Sequence, residues 1–324
     1  MKVHRDIQSL PQFSNAVVTI GTFDGVHLGH QQILRQLKEE ALRINGETVI
    51  ITFHPHPRKI VGAQKPSVHL LNTPEEKIRL LEQHNIDHVV IVPFTAAFAN
   101  QSAADYVNEF LIRYFHPHTL IIGYDHRFGK GREGDFHLLE KFSKEKSFLL
   151  IEIPQHVTNE SAISSTRIRE SLLQGNVEEA NQLLGYPYFI RGEVVTGNKL
   201  GRTIGYPTAN LSLHPEKLVP SNGVYAVRVT LEKKATTSRE ERNDSPNRYF
   251  SGMMNIGIRP TVDGTKRVVE VNIFDFDEDI YGDVLQVELI GYLRNEQKFA
   301  GLDKLKAQLA QDRVSALDRL RFEV

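Results

Sequence analysis

The sequence predicts an α/β chain in two parts, an N-terminal doubly wound parallel sheet followed by a small antiparallel β-barrel with a C-terminal helix. Three observations carry this expectation. Short β-branched apolar runs alternate with helical patterns up to about residue 155, the periodicity turns to alternating strands beyond about residue 187, and apolar residues at helical spacing return after Gly301. At 324 residues the chain exceeds one ordinary domain of about 150 residues, and the change of periodicity places the domains at 1–185 and 186–324.

The first domain opens on Ala16-Val17-Val18-Thr19-Ile20, a buried strand, which runs into Gly21-Thr22-Phe23-Asp24-Gly25-Val26-His27-Leu28-Gly29-His30. Ile33, Leu34 and Leu37 then fall at helical spacing in a helix from Gln31 to Asn45. A strand, a glycine turn and a helix start make an anion site, because glycines admit a bulky ligand and the helix tip offers free N–H groups. His27 and His30, three apart, share a helical face and suit charge building on a phosphorus centre. Val49–Phe53, Val89–Val92 and Leu120–Ile122 are further strands covered on both faces, separated by helices Pro74–His84 and Ser102–Tyr114. Thr73 caps the first of these, with Pro74 in its first turn. In such sheets ligands sit beyond the carboxyl ends of the strands, where the glycine turn lies.

Two loops of this half invite other chemistry. Phe53-His54-Pro55-His56-Pro57-Arg58 reads as a stiff, extended exit loop; its His-x-His pair can hold a metal but lacks a third ligand, and substrate or phosphate contact by His56 and Arg58 fits better. Gly129, Gly131 and Gly134 spell G-x-G-x-x-G, with Glu152 at about the distance of a ribose-binding acid. A nicotinamide-dependent oxidoreductase is therefore a rival reading. It weakens because five residues separate the strand end at Gly123 from Gly129. Lys130 is followed by Gly131, not Ser or Thr, so a P-loop fails too.

Ile163-Ser164-Ser165-Thr166-Arg167-Ile168-Arg169-Glu170 begins another amphipathic helix. One hydroxyl is explained as an N-cap; three with two guanidiniums make a second anion cradle. A short helix and an exit turn follow between Gln174 and Pro187. Strand-like segments at Gly192–Val195, Gly223–Val229, Val268–Phe274 and Val284–Ile290 point to the barrel, and Leu302 to Leu320 to one or two helices on its flank. Within this half, Gly197, Lys199, Gly201 and Arg202 cluster with Thr208 and Asn210, a phosphate loop with hard oxygen ligands for Mg²⁺. Glu270 alternates to one face of its strand. Lys233 to Arg248 is too polar to fold alone and reads as an enlarged, mobile hairpin loop.

Composition sets outer bounds. With 39 basic and 40 acidic side chains the formal net charge is −1, so nothing in the total favours nucleic acid or an anionic membrane, and phosphate binding must be local. Absence of cysteine excludes a disulfide framework and thiolate chemistry. No stretch approaches the roughly 18 apolar residues of a membrane span, and Met1–Asp6 lacks an apolar signal core. A soluble cytoplasmic protein acting on small molecules, with no nucleic-acid or membrane partner, is the expectation.

These motifs together resemble the bacterial bifunctional riboflavin kinase/FAD synthetase family. His27-Leu28-Gly29-His30 matches the H-x-G-H nucleotidyltransferase motif, and the resemblance implies that Gly21, Thr22, Phe23, Asp24 and Gly29 bind nucleotide beside catalytic His27 and His30. Gly123–Asp135 resembles the G-Y-D-x-R-F-G-x-G-R-x-G-D element, which implies that Asp125 and Arg127 line the ATP and flavin-nucleotide site; His126 stands where Phe is more usual. Ser164, Ser165, Thr166, Arg167 and Arg169 fall in an I-S-S-T-x-x-R signature that would close over the triphosphate. In the second half the run ending in Pro207-Thr208-Ala209-Asn210 resembles the riboflavin kinase motif. There Gly197, Lys199 and Gly201 would hold nucleotide, Thr208 and Asn210 Mg²⁺ and phosphate, and Glu270 would be the base. Asn272 replaces a usual His. Arg294 and Glu296 are expected at the flavin, with Asn295 in place of a usual Asp. The resemblance implies ATP and Mg²⁺ as requirements, and riboflavin, FMN and FAD as substrates and products. A monofunctional kinase with a non-catalytic N-terminal domain and a flavin-binding regulator without turnover stand as alternatives.

Overall fold

A computed structural model describes residues 1–61, 68–154, 163–197, 200–232, 248–261 and 264–321. The chain divides into two compact units, Met1–Ser165 and Thr166–Val324.

The first unit holds a six-stranded sheet of β1 (Lys2–His4), β2 (Val17–Ile20), β3 (Thr48–His54), β4 (His88–Pro93), β5 (Thr119–Gly123) and β6 (Leu149–Ile153), in the order β1-β4-β3-β2-β5-β6. All its pairings are parallel. Val17, Val18, Val49, Ile50, Ile51, Val89, Val90, Leu120 and Ile121 are buried, as strands covered on both faces require. The order reverses between β2 and β5, so the loops leaving these two strands open at the same switch point. The helix after β2, α1 (Leu28–Ile44), is capped at its start by His27 and ended by Asn45 in the left-handed region. Helix α2 (Pro57–Val61) is short, and α3 (Pro74–Gln83) starts with a Thr73/Glu76 capping box with Pro74 in the first turn.

Two local expectations change. The segment after β3 does not stay extended: Pro57 opens α2, and His56 Nδ1 accepts the Arg58 amide at 3.2 Å. The helix expected over Ser102–Tyr114 is broken into Ala103–Asp105, a π-helical stretch Tyr106–Ile112 and Arg113–Phe115. The wider turn seats Tyr106, Phe110 and Phe115 together in the core, with Phe98 and Phe128 packed on them.

The second unit begins with helices that end at Gln174 and span Val177–Leu184, the latter stopped by Gly185 at φ 79°. A closed antiparallel barrel follows, β7 (Phe189–Val195), β8 (Ala209–Leu213), β9 (Gly223–Glu232), β10 (Tyr249–Thr261), β11 (Gly264–Ile273) and β12 (Val284–Arg294), in the order β10-β11-β8-β7-β12-β9. One helix, Leu302–Arg321, lies on its flank, where Ala316 and Leu320 join Val224, Ala226, Met253 and Ile290. Residues 233–247, most of the polar insertion, and Lys199 lie outside the described residues; the insertion joins the adjacent antiparallel strands β9 and β10. Among the described residues no helix is long and apolar enough to cross a membrane.

Candidate active sites

At the switch point of the first unit, the turn from Gly21 to His27 is held in an unusual backbone. Phe23 (φ 47°), Gly25 (φ 91°) and Val26 (φ 37°) all occupy the left-handed region. For non-glycine residues such conformations cost on the order of 1–3 kcal/mol each and persist only where surroundings fix them. The fixing contacts are visible. Lys77, from α3, donates to the Thr22 carbonyl at 2.7 Å and to Thr52 Oγ1 at 3.2 Å, and that hydroxyl donates to the same carbonyl at 3.1 Å. Asp24, buried, accepts from the Asn72 amide at 3.2 Å, and its carbonyl accepts from Ser165 Oγ at 2.8 Å. The glycine turn and the Ser/Thr cradle, 141 residues apart, are thereby brought together.

His27 and His30 stack with centroids 3.7 Å apart and planes at 17°, and Phe23 covers the His30 ring at 5.0 Å. His27 Nδ1 accepts the His30 amide at 3.4 Å as the helix cap. Burial, with His27 and Lys77 adding repulsion, holds His30 well below the ordinary imidazole range. His30 Nδ1 is buried with no hydrogen-bond partner in the protein. The first turn of α1 carries no acidic residue. Buried His30, held neutral, stands beside His27 at a helix N-terminus with no acid in its first turn, a place that favours negative charge.

Of the residues expected around this pocket, Arg127 pairs with Asp135 at 2.9 Å, and Asp135 also caps the helix Phe136–Lys146. Asp125 is exposed beyond β5. Arg167 is turned to Glu179, at 3.2 Å through Nε and 2.7 Å through Nη2, and Ser171 shares that carboxylate at 2.8 Å. Two glycines of the G-x-G-x-x-G run serve packing: a Cβ on Gly134 would strike the Phe128 ring at 2.5 Å, and one on Gly129 would meet Ala103 backbone at 2.8 Å.

In the barrel, strand register does most of the assembly. Glu270 on β11 stands opposite Asn210 on β8 and Asn255 on β10. Asn272 Nδ2 donates to the Pro207 carbonyl at 2.7 Å, so the residue replacing the usual His fixes the turn that presents Thr208. Gly197 lies against the Asn210 amide, and Gly201 against the Tyr206 carbonyl and Thr208 Oγ1, both too close for any side chain. Thr208 lines two cavities. One, of about 480 Å³, is walled by Arg202, Pro207, Asp277, Glu278, Asp279 and Tyr281. The other, of about 220 Å³, contains Glu270, Arg259, Arg294, Glu296, Phe299 and Leu309.

Glu270 accepts from Arg259 Nη2 at 2.6 Å. A bulge in β12 re-aims Arg294, which forms a two-point pair with Asp312 of the flank helix at 2.8 and 2.7 Å. Glu296 accepts the Ile258 amide at 3.4 Å. Sequence reasoning passed over Lys77 and Arg259. The donors at Thr208 and Asn210 are a hydroxyl and an amide, and among the described residues no group of three His, Cys, Asp or Glu is placed to hold a metal. Such a set fits Mg²⁺ that takes most of its ligands from substrate phosphates and water.

Comparison with known proteins agrees with both halves. Residues 10–167 match the family model for FAD synthetase, and residues 184–320 that for riboflavin kinase. The bifunctional riboflavin kinase/FMN adenylyltransferase of Escherichia coli K12 is 39% identical over 98% of this chain and 97% of its own. That of Haemophilus influenzae is 39% identical over 91% of each. A crystal structure from Streptococcus pneumoniae described as a macrolide-efflux protein matches with a TM-score of 0.82 and 31% identity, covering 97% of this chain and 98% of that one. Near full-length identity to such enzymes, on two sites of separate design, means that this chain belongs to the bifunctional riboflavin kinase/FMN adenylyltransferase family.

Proposed function

We propose that the barrel phosphorylates riboflavin to FMN and the parallel-sheet domain adenylylates FMN to FAD, each at the expense of one ATP. The observation that carries the first step is the register that sets Glu270 beside Asn210, with Thr208 at the junction of two cavities. The cavity holding Glu270 and the apolar Phe299 and Leu309 suits the flavin, and the larger one suits ATP. The ribityl 5′-hydroxyl attacks the γ-phosphorus, its proton passes to Glu270, and ADP leaves. Thr208 and Asn210 would hold Mg²⁺, which when bound neutralises the phosphate charge; Gly197, Gly201 and Lys199 would cradle the triphosphate.

In the second step an FMN phosphate oxygen attacks the α-phosphorus of another ATP, and the bond to pyrophosphate breaks. No protein nucleophile is needed; position and charge supply the rate. His27 and His30 face the developing charge, while the turn Gly21–Asp24 with Gly29, the cradle Ser164–Thr166 with Arg167 and Arg169, and Asp125 and Arg127 bind the nucleotides. On this reading the transferase domain is 1–185 and the kinase domain 186–324. Near-neutral charge and the small-molecule substrates favour a cytoplasmic enzyme with neither nucleic-acid nor membrane partners.

Incubation of the purified protein with riboflavin, ATP and Mg²⁺, with chromatography to separate FMN from FAD, tests both steps. Both products should appear, and chelation of Mg²⁺ should stop them. His30→Ala should halt at FMN; FAD at the normal rate from that variant would remove His30 from the site.

A further inference from the structure

We propose that Lys77 is a positioning residue of the adenylyl-transfer site: its ammonium pins the Thr22 carbonyl and sets a fixed positive charge behind the paired imidazoles. This rests on the reading of the first unit as the FAD-forming half.

The geometry is specific. Lys77 comes from α3, an element outside the nucleotide motifs, and is half-buried, with its ammonium withdrawn from water. Two of its three protons go to the Thr22 carbonyl and Thr52 Oγ1. Thr22 immediately precedes Phe23, whose left-handed backbone turns its ring onto His30. The Lys77 bond is therefore one contact from the strained turn and two from the imidazole. Withdrawing a lysine amine from water is expensive, and a leucine would fill the space with no such cost. What the ammonium supplies beyond packing is its two hydrogen bonds and its charge.

The charged and titratable groups near it are Asp24 on the turn, His54 and His56 where β3 ends, and His30 on α1. Asp24 favours the ammonium, whereas burial pushes Lys77 down to about 8. Its field in turn disfavours a proton on His30. Burial and this repulsion keep His30 neutral. An arriving triphosphate then finds a net positive pocket in which His30 gains affinity for a proton as charge builds on the α-phosphorus.

Lys77→Met and Lys77→Arg in the full chain test this, with riboflavin phosphorylation as the internal control for folding. Lys77→Met is expected to lower kcat for FAD formation from FMN 10- to 100-fold, to leave FMN formation from riboflavin within twofold, and to raise the His30 pKa read by NMR of the ring protons. Lys77→Arg keeps the charge and should leave that pKa low. Normal FAD formation by Lys77→Met, or slow FAD formation with an unmoved His30 pKa, overturns the proposal, the second outcome marking a merely structural lysine. Equal loss of both activities overturns it as well. If the unsubstituted chain makes no FAD from FMN, the underlying reading falls, and this one with it.

Discussion

Glu270→Gln separates chemistry from structure at the kinase site. The glutamine keeps the shape and an oxygen able to accept from Arg259, 2.6 Å away in the native pair. The Glu270 side chain is 13% exposed and that of Arg259 37%, so the guanidinium retains access to water when its partner loses charge. A partly exposed pair of this kind contributes about 1 kcal/mol, a shift in melting temperature of a few degrees at most. Loss of a general base costs on the order of 10² to 10⁴ in rate, or about 3–5 kcal/mol of activation free energy. The kinetic effect should thus exceed the stability effect several-fold. Initial rates of FMN formation from riboflavin and of FAD formation from supplied FMN give both halves in one preparation. We expect the first to fall at least 100-fold and the second to be unchanged. FMN formation within twofold of the native rate would refute the base assignment, and equal loss of both activities would reassign Glu270 to structure.

Three further perturbations address other contacts. Gly197→Ala should abolish FMN formation while sparing FAD formation from FMN, because its methyl group displaces the Asn210 amide from the phosphate side of the barrel; kinetics on the two substrates checks it. Asp312→Asn leaves the largely buried Arg294 without its counter-charge and should cost about 3 kcal/mol, seen in urea denaturation, with a raised KM for riboflavin as the flank helix loosens. His126, pushed down to about 4 by burial and Arg132, has a buried Nε2 with no partner. Its folded pKa lies below the unfolded value of about 6.5, so unfolded chains bind protons that the fold refuses and stability drains away as pH falls from about 6.5 toward 4. His126→Phe should remove about 2 kcal/mol of acid loss between pH 7 and pH 5, measured by melting at those two values.

Much of this architecture was legible in the sequence because buried parallel strands and helix tips have strong local signatures. Val49-Ile50-Ile51 has no other sensible fate, and Thr73-Pro74-Glu75-Glu76 announces a capped helix. The missed strands lack such signatures. β1 is three residues with a lysine and a histidine, and it owes its place to β4. Glu152 and the exposed Leu149 obscure β6. β8 lies inside a motif that reads as a loop because Pro207 and Thr208 turn into it, and Gly252 and Asn255 interrupt the alternation of β10. The site divides the same way. Motifs point to candidate residues for the chemistry, but not to what each side chain leans on. Lys77 looks like any helix-surface lysine until Thr22 is folded against it, and the pairing of Arg294 with Asp312 needs a β-bulge and a helix return.

The contrast between the two sites follows from their nucleophiles. An alcohol is un-ionised at neutral pH, so the kinase site needs an acceptor for its proton, and a carboxylate there must be kept from repelling the nucleotide. On the proposed reading Arg259 would offset the charge of Glu270, and Thr208 and Asn210 would add only uncharged oxygens. The FMN phosphate is already an anion. A base would contribute nothing to its attack, and a carboxylate facing the α-phosphorus would oppose it. On the proposed reading the first unit ties the one acid of its turn, Asp24, to the Asn72 amide and would offer His30, held neutral, and a helix tip to the ligand. Two triphosphate sites in one chain therefore share no residue pattern, because only one has a proton to remove.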